Sequence, residues 1–207
     1  MPARPAVVYF AKSPRPGLVK TRLCPPLTPG EAAGLYRAFV TACAVPVPGT
    51  RTLVYGWPAD DLGALSGLLP GGVELRPQRG ADLWERLWSC VEELLSEGHA
   101  PVLVRNTDSP DLPVERVLEA LERSRRGRVV LGPDLRGGFY LIAVAEPCRA
   151  LLEGLPEGDD TVLERARARA RELGLEVVEL TPERDVDTFA DLLALWRGRG
   201  RGAPPSR

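Results

Sequence analysis

Apolar positions along this chain fall into short continuous runs separated by longer stretches of helical period. Ala6-Val7-Val8-Tyr9-Phe10, Arg51-Thr52-Leu53-Val54-Tyr55-Gly56 and Pro101-Val102-Leu103-Val104-Arg105 read as buried strands. Val73-Glu74-Leu75-Arg76, Val129-Val130-Leu131, Phe139 to Val144 and Leu175 to Leu180 supply four more. Between them the period changes to that of a helix. Thr28-Pro29-Gly30-Glu31 is a capping box with proline at the first helical position, and it opens a helix to about Cys43. A short helix runs through Leu62, Leu65 and Leu69. Asp82 caps a stronger one, with Leu83, Leu87, Val91, Leu94 and Leu95 on one face and Gly98 as its stop. Pro113 opens a helix with Val117, Leu118 and Leu121 inward, and Asp111 is expected to cap it. Helices are also expected at 148–152, at 161–173 with Asp159 and Asp160 as caps, and after Thr188 to about Trp196.

Strands alternating with helices at this spacing predict a mostly parallel sheet covered on both faces, a three-layer α/β/α fold. The 207 residues suit one such domain, over residues 1–197, and no internal repeat or linker divides it. The remainder, 198–207, is Gly, Arg and Pro with no apolar anchor and is expected to be disordered. No run approaches the roughly 18 apolar residues of a membrane span, and the N-terminus leads into the first strand without a signal-peptide core. A cytoplasmic location with no membrane partner is the expectation. The net charge of −1 argues against nucleic acid as a partner. Four widely spaced cysteines and a single histidine, His99, leave no zinc spacing and little room for a Ser-His-Asp or Cys-His site. Trp84 and Trp88 widen the apolar stripe of their helix and read as core.

Chemistry concentrates in the loop after the first strand. Phe10-Ala11-Lys12-Ser13-Pro14-Arg15-Pro16-Gly17-Leu18-Val19-Lys20-Thr21-Arg22-Leu23 holds both lysines of the chain, two arginines and two hydroxyls. Lysine offers phosphate a compact point charge, and a cationic loop at the carboxyl end of a first strand is where open α/β sheets bind anions. Lys12, Ser13, Gly17, Lys20, Thr21 and Arg22 are therefore the candidate nucleotide and phosphate ligands. The loop is not a Walker A motif, because Val19 and Pro14 stand where that motif needs glycine. No G-x-G-x-x-G follows the strand either. Three other polar segments belong to the same sheet edge: Thr107-Asp108-Ser109-Pro110-Asp111, Arg136-Gly137-Gly138, and Asp185-Val186-Asp187 if the last strand runs parallel to the first. Carboxylates beside a phosphate cradle require a hard divalent cation, Mg²⁺ or Mn²⁺, for which Asp108 and Asp187 are the expected ligands. A cap or turn role is the competing reading of both.

In this order, Phe-Ala-Lys-Ser-Pro-Arg-Pro-Gly-Leu-Val-Lys-Thr-Arg-Leu, Thr-Asp-Ser-Pro-Asp-Leu, Gly-Gly-Phe-Tyr-Leu and Asp-Val-Asp-Thr-Phe-Ala-Asp-Leu resemble the radical-SAM/selenodomain-associated transferase family. That family is a branch of the nucleotide-diphospho-sugar transferase, or GT-A, superfamily, and the similarity spans about residues 6–196. The resemblance implies a GT-A (Rossmann-like) fold and a nucleotide-activated donor. It also implies that Asp108 is the superfamily's metal-binding acid and Asp187 the late acid sharing that metal. Two departures stand out: Arg136 where the family usually has aspartate before the Gly-Gly pair, and Asn106-Thr107-Asp108 where it commonly has Gly-Thr-Asp. Asp108 and Arg136 are the candidate catalytic residues, with Arg136 suited to an anionic acceptor. The expected activity is metal-dependent sugar transfer from a nucleotide-sugar to a small-molecule acceptor. Nucleotidyl transfer from a nucleoside triphosphate, with pyrophosphate release, is the alternative. A nucleotide-binding protein impaired by Arg136 is the third reading.

Overall fold

A computed structural model describes residues 3–199. Its sheet has seven strands: β1 (Ala6–Lys12), β2 (Arg51–Trp57), β3 (Glu74–Pro77), β4 (Val102–Arg105), β5 (Val129–Pro133), β6 (Phe139–Val144) and β7 (Val177–Glu179). The spatial order is β3-β2-β1-β4-β6-β5-β7, and β6 alone runs antiparallel to its neighbours. Because β6 reverses the chain between β4 and β5, β7 again points the same way as β1. The carboxyl ends of β1, β4 and β7 therefore share one edge.

Helices α1 (Pro29–Cys43), α2 (Gly63–Ser66), α3 (Leu83–Ser96), α4 (Val114–Ser124), α5 (Val162–Glu172) and α6 (Phe189–Arg199) complete the layers. Side chains alternate across a strand, so β1 feeds two cores. Ala6 and Val8 pack with Trp88 and Leu94 of α3 and Ala166 of α5. Val7 and Tyr9 pack with Tyr36 and Val40 of α1 and Val117 of α4. Trp84 and Trp88 are core, as their spacing predicts.

Local signals placed most boundaries. The Thr28–Glu31 capping box forms in full, and Asp82 accepts the Glu85 amide at 2.8 Å. Four expectations need correction. Helix α5 has Thr161 at its N-cap and no side-chain cap; Asp159 accepts the Thr161 amide at 2.7 Å, and neither Asp159 nor Asp160 caps the helix. The segment near Cys148 is a single 3₁₀ turn, Arg149–Leu151. Helix α4 starts with Pro113 at its N-cap and no side-chain cap, so neither Asp111 nor Asp108 caps it. Helix α6 extends through Gly198 to Arg199, past the expected start of the tail; residues 200–207 lie outside the described residues. No helix among the described residues is long and apolar enough to cross a membrane.

Candidate active site

The chain winds outward from β1 to β2 and β3, then returns to place β4 on the other side of β1. The crevice between β1 and β4 is thus a topological switch point, where open α/β sheets bind ligands. Tyr36 of α1 ties the two strand ends together. Its hydroxyl accepts the Lys12 amide at 2.9 Å and bonds Thr107 Oγ1 at 2.8 Å, while Thr107 also donates to the Phe10 carbonyl. Burial pushes the Tyr36 hydroxyl pKa up, so it stays protonated. By spacing alone Tyr36 counts as one more apolar-face residue.

Lys20 is the centre of the site, but not as an open-loop lysine. Its side chain is only 4% exposed. Nζ donates to the Val186 carbonyl at 2.6 Å, lies 2.6 Å from Asp108 Oδ1, and donates to Asp187 Oδ1 at 3.2 Å. All three ammonium hydrogens are used. Burial alone would lower its pKa; Asp108 and Asp187 outweigh burial and hold it above the ordinary lysine value. Its backbone is left-handed, with φ 50° and ψ 35°, a conformation uncommon for a side-chain-bearing residue. Val186 secures the arrangement from both backbone groups, because its amide also donates to the Asp108 carbonyl at 2.9 Å. The structure therefore brings Lys20, Asp108 and Asp187 together from segments far apart in sequence.

Buried side chains brace the Asp108 loop from below. Arg105, 4% exposed, donates to the Ser109 carbonyl at 2.7 Å and lies over the Tyr9 ring at 5.5 Å. Asn106 accepts the Asp108 amide at 3.2 Å and donates to Asp185 Oδ2 at 2.7 Å. Asp185 also accepts from the Ser109 hydroxyl. Burial first, then the negative charge of Asp108, pushes the Asp185 carboxyl up to about 7. Asn106 thus holds Asp185 in place.

The basic loop divides. Lys12, Lys20, Thr21 and Arg22 line a cleft of about 490 Å³ that also takes in Asp108 and Asp187. Ser13 does not: it is fully buried and donates to Asp61, which also pairs with Arg15. Gly17 is likewise outside the cleft lining, at an exposed bend with φ 81°. Both placements have one cause. The proline-rich half of the loop packs on the segment after β2, and only residues from Leu18 onward turn back over the sheet edge.

Arg86 joins the cleft without having been anticipated. It lies 5.5 Å over the Trp57 ring, and its buried Nε has no partner among the described residues.

Arg136 reaches the site's edge already paired. Nη2 donates to Asp191 Oδ2 at 2.6 Å and to Thr188 Oγ1 at 3.2 Å. Asp191, 3% exposed in its side chain, also pairs with Arg184 at 3.1 Å and accepts the Thr188 amide at 2.8 Å. Burial would raise the Asp191 pKa, yet the Thr188 bonds and the two guanidiniums hold it below the ordinary value. Thr188 and Asp191 form a capping box at the start of α6, and the Asp187 amide points at the same carboxylate, 3.3 Å away. Asp134 closes the β5–β6 turn by accepting the amides of Arg136 at 2.6 Å and Gly138 at 3.0 Å. Gly137 has φ 88°, and a methyl group there would overlap the Asp160 carbonyl.

Sheet order, switch point and site together define a nucleotide-diphospho-sugar transferase/cytidylyltransferase-like α/β fold. A family model described as "Uncharacterized protein conserved in bacteria (DUF2064)" matches residues 41–159, and the chain belongs to that family. A protein from Desulfovibrio desulfuricans, assigned provisionally as a nucleotide-diphospho-sugar transferase, superposes with a TM-score of 0.88 at 29% identity. The match covers 97% of this chain and 90% of that one. The 4-diphosphocytidyl-2C-methyl-D-erythritol synthase of Anaerococcus prevotii gives a TM-score of 0.58 at 11% identity, over 95% of this chain and 97% of that one. CMP:2-keto-3-deoxy-manno-octonic acid synthetase, solved with CTP, gives 0.55 at 14% identity, over 96% and 100%. These last two show the shared fold. A search of curated proteins finds no match.

Proposed function

We propose that this protein transfers a sugar from a nucleotide-sugar donor to a small-molecule acceptor with the help of a divalent cation. The observation that carries the reading is the convergence of Asp108, Asp187 and Lys20 at the switch point, beside a cleft lined by Lys12, Arg22 and Arg86. The likeness to the Desulfovibrio protein supports a nucleotide-sugar donor over a triphosphate.

The donor set fits a cation of limited kind. Asp108 and Asp187 each give one oxygen to Lys20, and their other oxygens have no partner among the described residues. Both side chains are about one-third exposed, at 34% and 32%. No group of three or more His, Cys, Asp or Glu side chains among the described residues is arranged to hold a metal. Two carboxylates completed by phosphate oxygens and water is how Mg²⁺ is commonly held. Asp108 and Asp187 would hold the ion, which would neutralise the charge developing on the departing diphosphate. Lys20 sets the spacing of the two carboxylates. Lys12 and Arg22, which have no ion-pair partner among the described residues, line the cleft with Arg86 and would face the donor phosphates.

Incubation with a panel of labelled nucleotide-sugars and triphosphates tests the reading. Release of a nucleoside diphosphate is expected; pyrophosphate release would assign nucleotidyl transfer, and binding without product would assign a nucleotide-binding protein. The Asp108→Asn variant should bind donor with the same affinity in Mg²⁺ and in EDTA, whereas the natural protein binds more tightly in Mg²⁺. An equal Mg²⁺ response in both would remove Asp108 from the metal.

A further inference from the structure

Beside the polar cleft lies a second cavity of about 230 Å³, under β6 and the start of α3. Seven residues line both, Arg22, Phe139, Gly158 and Asp187 among them, so the two cavities adjoin. The second cavity is built differently. Its wall is the Trp84 indole against the Phe139 ring, centroids 5.8 Å apart, and Leu87, Val104 and Ile142 continue it. A cavity of roughly 150 Å³ holds benzene, so this one accommodates a ring with substituents.

The polar groups set into this apolar wall are already occupied. Trp84 Nε1 donates to the Leu155 carbonyl at 2.7 Å, and the Tyr140 hydroxyl donates to the Thr181 carbonyl at 3.1 Å. Asn106 Nδ2 is bound to Asp185. A polyhydroxylated body seated against this wall would leave the hydroxyls that face it unpaired, which costs more than the apolar contact returns.

Charge at the rim is unbalanced toward the negative. Asp134, Asp159 and Asp160 line the cavity on one side. Among the lining cations, Arg136 is matched by Asp191, and the Arg105 guanidinium is turned away toward Ser109 and Tyr9. Only Arg22 remains to offset three carboxylates, and it stands at the mouth shared with the donor cleft. Arg136 therefore gives no preference for an anion.

We infer that this cavity binds the acceptor, and that the acceptor has a compact aromatic or branched aliphatic body without negative charge. The inference rests on the transferase reading for the word acceptor, but the ligand chemistry follows from the cavity itself. The acceptor's nucleophilic group would lie at the Asp187 end, where the two cavities meet.

Saturation-transfer NMR on the full chain tests this with three probes of similar size: benzyl alcohol, benzoate and glucose. Benzyl alcohol is expected to bind about tenfold more tightly than either of the others, because only it avoids both the carboxylates and unpaired hydroxyls. Leu83→Asp should abolish the benzyl alcohol signal. Leu83 is partly exposed in the first turn of α3, where an acidic residue suits the helix, so the fold should tolerate the change. Circular dichroism checks that it does, and if it does not, the ranking on the natural protein decides. Benzoate or glucose binding as tightly as benzyl alcohol, no benzyl alcohol signal, or a folded Leu83→Asp protein that keeps it would each overturn the inference. Nucleotide affinity measured on the same sample separates the two readings. Nucleotide binding with the wrong probe order sinks this inference alone; benzyl alcohol binding without nucleotide binding sinks the transferase reading alone.

Discussion

Replacing Lys20 by alanine separates the buried cation of the structure from an open-loop phosphate ligand. Lys20 and alanine share the cost of the left-handed backbone, so Lys20→Ala removes the ammonium and its buried stem at unchanged backbone cost. Removing one partner of a fully buried ion pair costs about 3–5 kcal/mol. Here the two abandoned carboxylates keep 34% and 32% exposure and can rehydrate, which lowers the figure. Two like charges left facing each other, and an unpaired Val186 carbonyl, raise it again. The balance is a loss of about 2–3 kcal/mol. For a domain of this size that corresponds to a fall in Tm of about 4–12 °C. Thermal unfolding followed by circular dichroism in EDTA is the assay. Added Mg²⁺ should recover more stability in the variant than in the natural protein, because the freed carboxylates then find a different counter-ion. A surface lysine would cost under about 0.5 kcal/mol. A variant melting within about 2 °C of the natural protein, with no extra response to Mg²⁺, would refute the reasoning.

Two further substitutions probe the frame around the site. Asp191→Ala removes a capping box and leaves two guanidiniums without their shared carboxylate, and should cost about 2–4 kcal/mol in urea unfolding. It should also weaken the Mg²⁺ dependence of donor binding, because Asp187 loses the carboxylate facing its amide; unchanged stability would make the Arg136 and Arg184 pairs incidental. Gly137→Ala forces a side chain into the Asp160 carbonyl at a positive φ, and should cost about 2–4 kcal/mol, read in the same way. A cost below about 0.5 kcal/mol would show that the β5–β6 turn is not held against the acidic segment.

Local pattern was enough for the strands, most helix boundaries and the sheet edge where the candidate site lies. The Thr28 and Asp82 caps, the helical period of Leu83 to Leu95 and the strand period of Ala6 to Phe10 depend on neighbours a few residues away, which the chain displays in order. Family motifs added that Asp108 and Asp187 belong to one site. What Lys20 does depends on Val186, 166 residues later, so a cationic loop in sequence gave no sign that its middle lysine would be buried. Ser13 looks like Thr21 in a string of letters, yet packing against Asp61 takes one into the interior and leaves the other at the cleft. Asp191 reads as one more acid on a helix until folding sets Arg136, Arg184 and Thr188 around it. Charged side chains have no period of their own, and their partners here come from across the sheet. Their roles were decided by the tertiary structure because a charge enters the interior only where the fold supplies a counter-charge, as for Lys20, or hydrogen-bond acceptors and an aromatic face, as for Arg105.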